Sequence, residues 1–205
     1  MPDLTRQVVI FDLGGVLIEW DPRHLYRRLF NGDEAAMEHF LTDVCTPGWN
    51  RQQDAGRTFA EAEAEAAARH PDMLPFIQAW AANFHEMIPG SIAGTVEILD
   101  QLRRRGVPLY ALTNWSAETF APQPARFDFL AWFDGIVVSG REKLMKPDPR
   151  IFRLLLDRHG IDPERAVFID DVRANVDAAA ALGIHGILFT SPDELRRALS
   201  GLALL

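Results

Sequence analysis

Four consecutive apolar, β-favouring residues, Val8-Val9-Ile10-Phe11, run straight into an aspartate, Asp12. A strand without apolar/polar alternation has no face to give to water, so it belongs in the middle of a sheet covered on both sides. The same kind of run recurs at Val107 to Leu112, Gly135 to Val138 and Ala166 to Ile169, with a weaker fifth at Ile184 to Phe189. Helical patterns separate them. Ile92, Val96, Leu99 and Leu102 fall at helical spacing before a stop at Gly106, and Ile151, Leu154 and Leu155 do so before Gly160. Ser191-Pro192-Asp193-Glu194 opens a last helix as a capping box. Strands alternating with helices give βαβ units with right-handed crossovers, so the predicted class is α/β: a Rossmann-like parallel sheet flanked by helices.

One segment breaks the alternation. From about Glu19 to Pro89 there is no good strand, and Ala, Glu and aromatic residues recur at helical intervals. This predicts an inserted α-helical cap domain over residues 19–89, with residues 1–18 and 90–205 forming the core domain. Inside the cap, Thr58-Phe59-Ala60-Glu61 is a second capping box, starting a helix to about Arg69 that His70-Pro71 ends. A length of 205 residues accommodates one domain with such an insertion.

Composition removes several classes. An apolar fraction of 48% and a charged fraction of 24% exclude a disordered or fibrous chain. With 21 basic and 29 acidic side chains, a net charge of −8 opposes binding to nucleic acid or anionic lipid. The run Arg103-Arg104-Arg105 is read as complementing a helix dipole. Cys45 is the only cysteine, which precludes an internal disulfide and suits a reducing, cytoplasmic setting; it is read as a small buried hydrophobe. The apolar stretch Val8 to Ile18 is shorter than the roughly 20 residues of a membrane span and is broken by Asp12, which also argues against a signal peptide.

The polar residues at the strand ends carry the chemistry. In a parallel sheet, Asp12, Thr113-Asn114, the Lys146 that precedes Pro147-Asp148-Pro149, and Asp170-Asp171 all open on one edge. The Gly14-Gly15 pair permits a tight turn beside them. One Asp of the pair can serve simply to cap the next helix, but three carboxylates converging repel one another unless a cation joins them, and an all-oxygen set suits Mg²⁺. Of the 21 basic residues only two are lysines, Lys143 and Lys146. A compact ammonium fits between a carboxylate and a phosphoryl oxygen where a guanidinium does not, and the Lys-Pro-Asp-Pro turn fixes Lys146. Thr113 and Asn114 can form a turn or donate to an anionic oxygen.

Phe11-Asp12-Leu13-Gly14-Gly15-Val16, Leu112-Thr113-Asn114, Lys146-Pro147-Asp148-Pro149 and Phe168-Ile169-Asp170-Asp171 occur in the order of the four motifs of the haloacid dehalogenase superfamily, which the whole chain resembles. It looks most like the subgroup with a small helical cap after the first motif, which includes the amino-terminal phosphatase domain of soluble epoxide hydrolases and a bacterial glucose-1-phosphate phosphatase. Gly48-Trp49-Asn50, Asp54-Ala55-Gly56 and Asp170-Asp171 through Asn175 are similar to that subgroup as well. The resemblance implies a Mg²⁺-dependent phosphatase acting on a small phosphorylated metabolite through an aspartyl-phosphate. Asp12 would be the nucleophile, with Thr113 and Lys146 holding the transferring group. It implies that Asp12, the Gly14 carbonyl and Asp171 bind the ion, while Asp170 acts through a metal-bound water and orients Lys146.

One position departs from the pattern. The usual aspartate two residues after the nucleophile, a general acid/base, is replaced by Gly14, and such a group typically contributes about 10²–10⁴-fold. A sugar 1-phosphate, whose leaving group needs less protonation, is therefore a candidate substrate. Two rivals stand beside this reading: a metal-independent 2-haloacid dehalogenase, opposed by the Asp-Asp pair and by Gly14-Gly15-Val16 in place of Tyr-Gly-Thr, and a catalytically weak scaffold, favoured only by Gly14. Trp20, Trp49, Gln52 and Asp54 are candidates for the inner face of the cap, and Trp80 and Phe84 either dimerise or pack inward.

Overall fold

A computed structural model describes residues 7–205; the expectation that residues 1–6 belong to the core lies outside the described residues. The strands β1 (Val8–Phe11), β2 (Leu109–Thr113), β3 (Gly135–Val138), β4 (Ala166–Asp170) and β5 (His185–Leu188) form one sheet in the order β3-β2-β1-β4-β5. Every pairing is parallel, and Phe11 lies level with Ala111 on one side and Ile169 on the other. The order reverses beside β1, which is where a crevice opens beyond the strand ends of such a sheet.

Between β1 and β2 the chain forms α1 (Arg23–Leu29), α2 (Glu34–His39), α3 (Pro47–Asp54), α4 (Phe59–Arg69), α5 (Leu74–Ala82) and α6 (Ala93–Arg104). After β2 comes α7 (Ala117–Phe120), after β3 come α8 (Ser139–Glu142) and α9 (Pro149–His159), α10 (Arg173–Ala180) joins β4 to β5, and α11 (Pro192–Gly201) closes the chain. Among the described residues no helix is long and apolar enough to cross a membrane.

Period-2 geometry divides each strand between the two faces of the sheet. Ile10, Leu112, Val137 and Phe168 pack on α9 through Ile151, Phe152 and Leu155. Val9, Phe11, Ala111, Val167 and Ile169 face the other way, against Ile98, Leu99 and Leu102 of α6 and Leu195 and Leu199 of α11. That second core continues without a break into the inserted helices through Leu17, Ile18, Tyr26, Phe40 and Trp80. Entry to and exit from the insertion run side by side: Glu19 N donates to Gly90 O at 3.0 Å and Ile92 N to Leu17 O at 2.9 Å.

Trp80 and Phe84 pack inward, at 1% and 8% exposure, with the Trp80 ring 5.2 Å from Trp49 and 5.8 Å from Tyr26. Both halves of the Thr58 capping box form, whereas at Ser191 only the hydroxyl contact to Glu194 N is present. The β2 run begins two residues later than its apolar pattern. Gly106, at φ +73°, is still closing α6, and Val107 N donates back to Leu102 O at 3.1 Å, so the sheet starts only after Pro108. The arginine run does end α6, where Arg103 and Arg104 pair with Asp100.

Cys45 is buried as expected, and burial, with the Glu63 charge a smaller cause, pushes its thiol up to about 12. The thiolate is the reactive form. The native protein is therefore expected to resist a disulfide reagent at neutral pH and to react fully once unfolded in denaturant, which a thiol titration with and without denaturant checks.

Candidate active site

β1 delivers Asp12 to the centre of the carboxyl edge, where its backbone N–H still donates to Ile169 O at 2.8 Å. Its Oδ1 accepts from the Leu13 N–H at 2.7 Å, so the carboxylate is held by its own turn. Lys146 reaches the same point from the segment before α9. Its Nζ lies 2.9 Å from Asp12 Oδ2 and 2.6 Å from Asp170 Oδ2, at 1% exposure. Asn114 fixes the backbone that carries this lysine: the Lys146 N–H donates to Asn114 Oδ1 at 2.8 Å, and Asn114 Nδ2 donates to Lys146 O at 2.9 Å.

Asp170, fully buried, is saturated. Its Oδ1 accepts from Val172 N at 2.8 Å and from Asn175 Nδ2 at 3.0 Å, while Oδ2 takes Lys146 and a second Asn175 contact at 3.1 Å. Asp171, next in the chain, is exposed. Thr113 ends β2 with its Oγ1 buried and, among the described residues, without a hydrogen-bond partner. A buried hydroxyl is seldom left unpaired, and this one, at the carboxyl end of β2, has a donor free for a ligand oxygen.

The electrostatics are those of an unfinished site. Three carboxylates against one ammonium leave −3 + 1 = −2, and oxygens of Asp12, Asp170 and Asp171 all lie within 4.8 Å of one another. Burial raises the Asp12 carboxyl to about 7; Lys146 opposes this and the Asp170 charge adds to it. Burial pulls the Lys146 ammonium down, but Asp12 and Asp170 outweigh it and the net shift is upward, so it stays charged. Although Asp171 is exposed as a residue, partial burial of its carboxyl, and then the Asp170 charge, raise it. An oxygen-only set with two excess negative charges fits a divalent cation such as Mg²⁺.

Gly15 allows the close approach. At φ +74° it lies in the left-handed region, and a Cβ there would fall 2.3 Å from Asp171 Oδ2. Gly15→Ala is expected to destabilise the fold by about 1–2 kcal/mol from backbone conformation alone and to weaken divalent-ion binding by displacing Asp171. Thermal melting and calorimetric titration with Mg²⁺ alone check the two effects. Gly14 is different: a Cβ there would meet nothing within 4 Å.

Above these groups is a cavity of roughly 240 Å³. Asp12, Gly14, Asn114 and Asp171 form its floor, with Thr113, Lys146 and Asp170 buried beneath; Trp20, Asn50, Asp54 and Phe84 close it from the insertion. The strand-end residues named from sequence are thus brought together. Two of the four cap candidates are not at the cavity. Trp49 is buried, its indole N–H donating to Ala62 O at 3.3 Å, and Gln52 is exposed on the outer side of α3. Burial raises the Asp54 carboxyl to about 7, against the Ser116 backbone and Arg51.

Two contributors, Ser139 and Trp115, are not marked out by the sequence motifs. Ser139 follows β3 as Asn114 follows β2, so the strand-end rule points to it; its hydroxyl bridges the Trp115 N–H, at 2.9 Å, and Asp54 O, at 2.6 Å. Trp115, on the cavity wall, carries no local signal of its role; Asn175, marked by the resemblance, proves to hold Asp170 through its Nδ2.

The chain matches a protein-family model described as a haloacid dehalogenase-like hydrolase over residues 7–183. It is 28% identical over 217 aligned residues to acyl-CoA dehydrogenase family member 10 of Mus musculus, covering 97% of this chain but only 19% of that protein's length. It is 24% identical over 183 residues to a phosphorylated carbohydrates phosphatase of Thermotoga maritima, covering 88% of this chain and 83% of the relative. A HAD family enzyme of Bacteroides thetaiotaomicron, solved with magnesium and inorganic phosphate, superposes with a TM-score of 0.70 at 25% identity, over 91% of this chain and 95% of that one.

Proposed function

Since the chain belongs to the haloacid dehalogenase-like hydrolases, we propose that it hydrolyses the phosphate monoester of a small neutral metabolite, a sugar phosphate foremost, through an aspartyl-phosphate on Asp12. The observation that carries this reading is the buried Lys146 between Asp12 and Asp170, with the Thr113 hydroxyl, unpaired among the described residues, at the end of the neighbouring strand β2. Together they offer a nucleophilic carboxylate oxygen, an ammonium and a hydroxyl donor where a phosphoryl group would sit.

Asp12 Oδ2 attacks phosphorus while Lys146 Nζ and Thr113 Oγ1 hold the charge that develops on the phosphoryl oxygens. Asn114 and Asp170 position Lys146 rather than touch substrate, since both oxygens of Asp170 are already engaged. Asp12, the Gly14 carbonyl and Asp171 would hold Mg²⁺, which when bound supplies the positive charge that lets a dianionic ester approach three carboxylates. The proposed division into a core of residues 1–18 and 90–205 and a cap of residues 19–89 places the nucleophile in the core and the lid in the insertion.

The cavity supports the substrate class. Among the described residues its lining contributes no arginine, lysine or histidine, so it offers no cation to a carboxylate on the leaving group. Trp20, exposed at the rim, offers apolar surface to sugar C–H groups, and Asn50 offers amide hydrogen bonds to hydroxyls. The Thermotoga relative's action on phosphorylated carbohydrates agrees with this reading. A panel of sugar phosphates and an aryl phosphate, each with Mg²⁺ and with chelator, tests it. Metal-dependent phosphate release is expected, most efficient with the neutral sugars. Halide release from 2-chloropropionate without metal, and no phosphate release, would replace it with the dehalogenase reading.

A further inference from the structure

We infer that Asp54, at the C-terminal end of α3 in the insertion, is the general acid and base of this site. The inference rests on the phosphatase reading above and adds a residue to it. Cleaving an alkyl phosphate expels an alkoxide, a poor leaving group unless it is protonated as the bond breaks. The titratable side chains that line the cavity are Asp12, Asp54 and Asp171. Asp12 is occupied as nucleophile and Asp171 as ion ligand, and Gly14 brings no side chain. Asp54 lines the cavity from the insertion, whereas Asp12 and Asp171 line it from the strand ends, and it is the one of the three without another role.

Asp54 is fixed there by the core as well as by its own helix. The Ser139 hydroxyl donates to its carbonyl at 2.6 Å, and Asn50 Nδ2 donates to its Oδ2 at 3.2 Å. Gly56, two residues on, sits at φ +100°, where a Cβ would lie 2.9 Å from Lys143 Cγ and 3.1 Å from Gly140 O. The end of α3 is therefore pressed onto α8 and has little freedom to swing away. Burial also leaves the carboxyl able to hold or release a proton near neutrality.

The steps balance. As Asp12 Oδ2 forms its bond to phosphorus and the ester P–O bond breaks, the Asp54 proton passes to the departing oxygen, giving the alcohol and an aspartyl-phosphate. Asp54, now a carboxylate, takes a proton from water as that water's oxygen bonds to phosphorus. The Asp12–phosphorus bond breaks, and inorganic phosphate, the Asp12 carboxylate and the Asp54 acid result.

The test compares a sugar phosphate with para-nitrophenyl phosphate, whose phenolate leaves without help, in the wild type, Asp54→Asn and Asp12→Asn. For Asp54→Asn, turnover of the sugar phosphate is expected to fall by about 10²–10⁴-fold. The nitrophenyl ester is expected to give a burst of one equivalent of nitrophenolate and then stall, with phosphoenzyme accumulating because the base for the second step is gone. Gly14→Asp added to Asp54→Asn brings a carboxylate from the floor into open space and is expected to recover part of the lost turnover. Equal losses on both esters with no burst, or undiminished turnover of both, would overturn the assignment of Asp54 while leaving Asp12 in place. A wild type inert to both esters would remove the phosphatase reading itself.

Discussion

Asp12→Asn is expected to lower phosphate release by at least about 10⁴-fold, the scale seen when a covalent nucleophile or its partner is removed, and to leave the protein at least as stable as the wild type. The two halves of this result have one cause. Asp12 is buried at 7% exposure, and its carboxyl is raised to about 7 chiefly because burial disfavours its charge. An amide of the same shape removes that penalty and leaves Lys146 paired with Asp170 at 2.6 Å. Phosphatase assays and thermal melts of the two proteins side by side check the prediction. A loss of activity that tracked a loss of stability would mean that the residue is structural.

Lys146→Met is expected to be damaging on both counts. Methionine keeps much of the apolar stem but leaves Asp12 and Asp170, previously 2.9 and 2.6 Å from Nζ, facing each other without a cation. Breaking a buried pair by removing one partner typically destabilises by about 3–5 kcal/mol. In metal-free protein the deficit should shrink as the pH falls toward the unfolded carboxylate value of about 4. A carboxyl whose folded pKa is raised weakens the fold above its unfolded value, and the penalty vanishes once both states are protonated. Denaturant unfolding of wild type and variant across that range measures it. Lys146→Arg is expected to fail as well, because a site at 1% exposure has no room for a guanidinium.

Buried strands are legible in sequence, and so are the polar residues that end them. Val9, Ile10 and Phe11 lack alternation since α6 and α9 cover opposite faces of the sheet, and the polar residue that ends such a run stands out against it. Lysine usage was informative for the same kind of reason: Lys146 is buried between carboxylates, whereas Lys143 is exposed. In the insertion the sequence is less readable. Successive helical residues differ in direction by about 100°, so Gln52, Gln53 and Asp54 turn respectively to solvent, to the Trp49 carbonyl at 2.7 Å and to the cavity. Nothing in their residue types distinguishes these fates. Trp20 and Trp49 are equally aromatic, yet one rims the cavity and the other fills the core, a difference set by how the helices pack and not by local pattern.

The central claim is that phosphorus bonds covalently to Asp12. Rapid quenching of the protein with a phosphate-labelled ester in a single turnover, followed by peptide mapping of the acid-stable label, tests it most directly. The label is expected on the peptide that contains Asp12, to decay as free phosphate appears, and to be absent from Asp12→Asn. Label on any other residue, or undiminished phosphate release by Asp12→Asn, would contradict it.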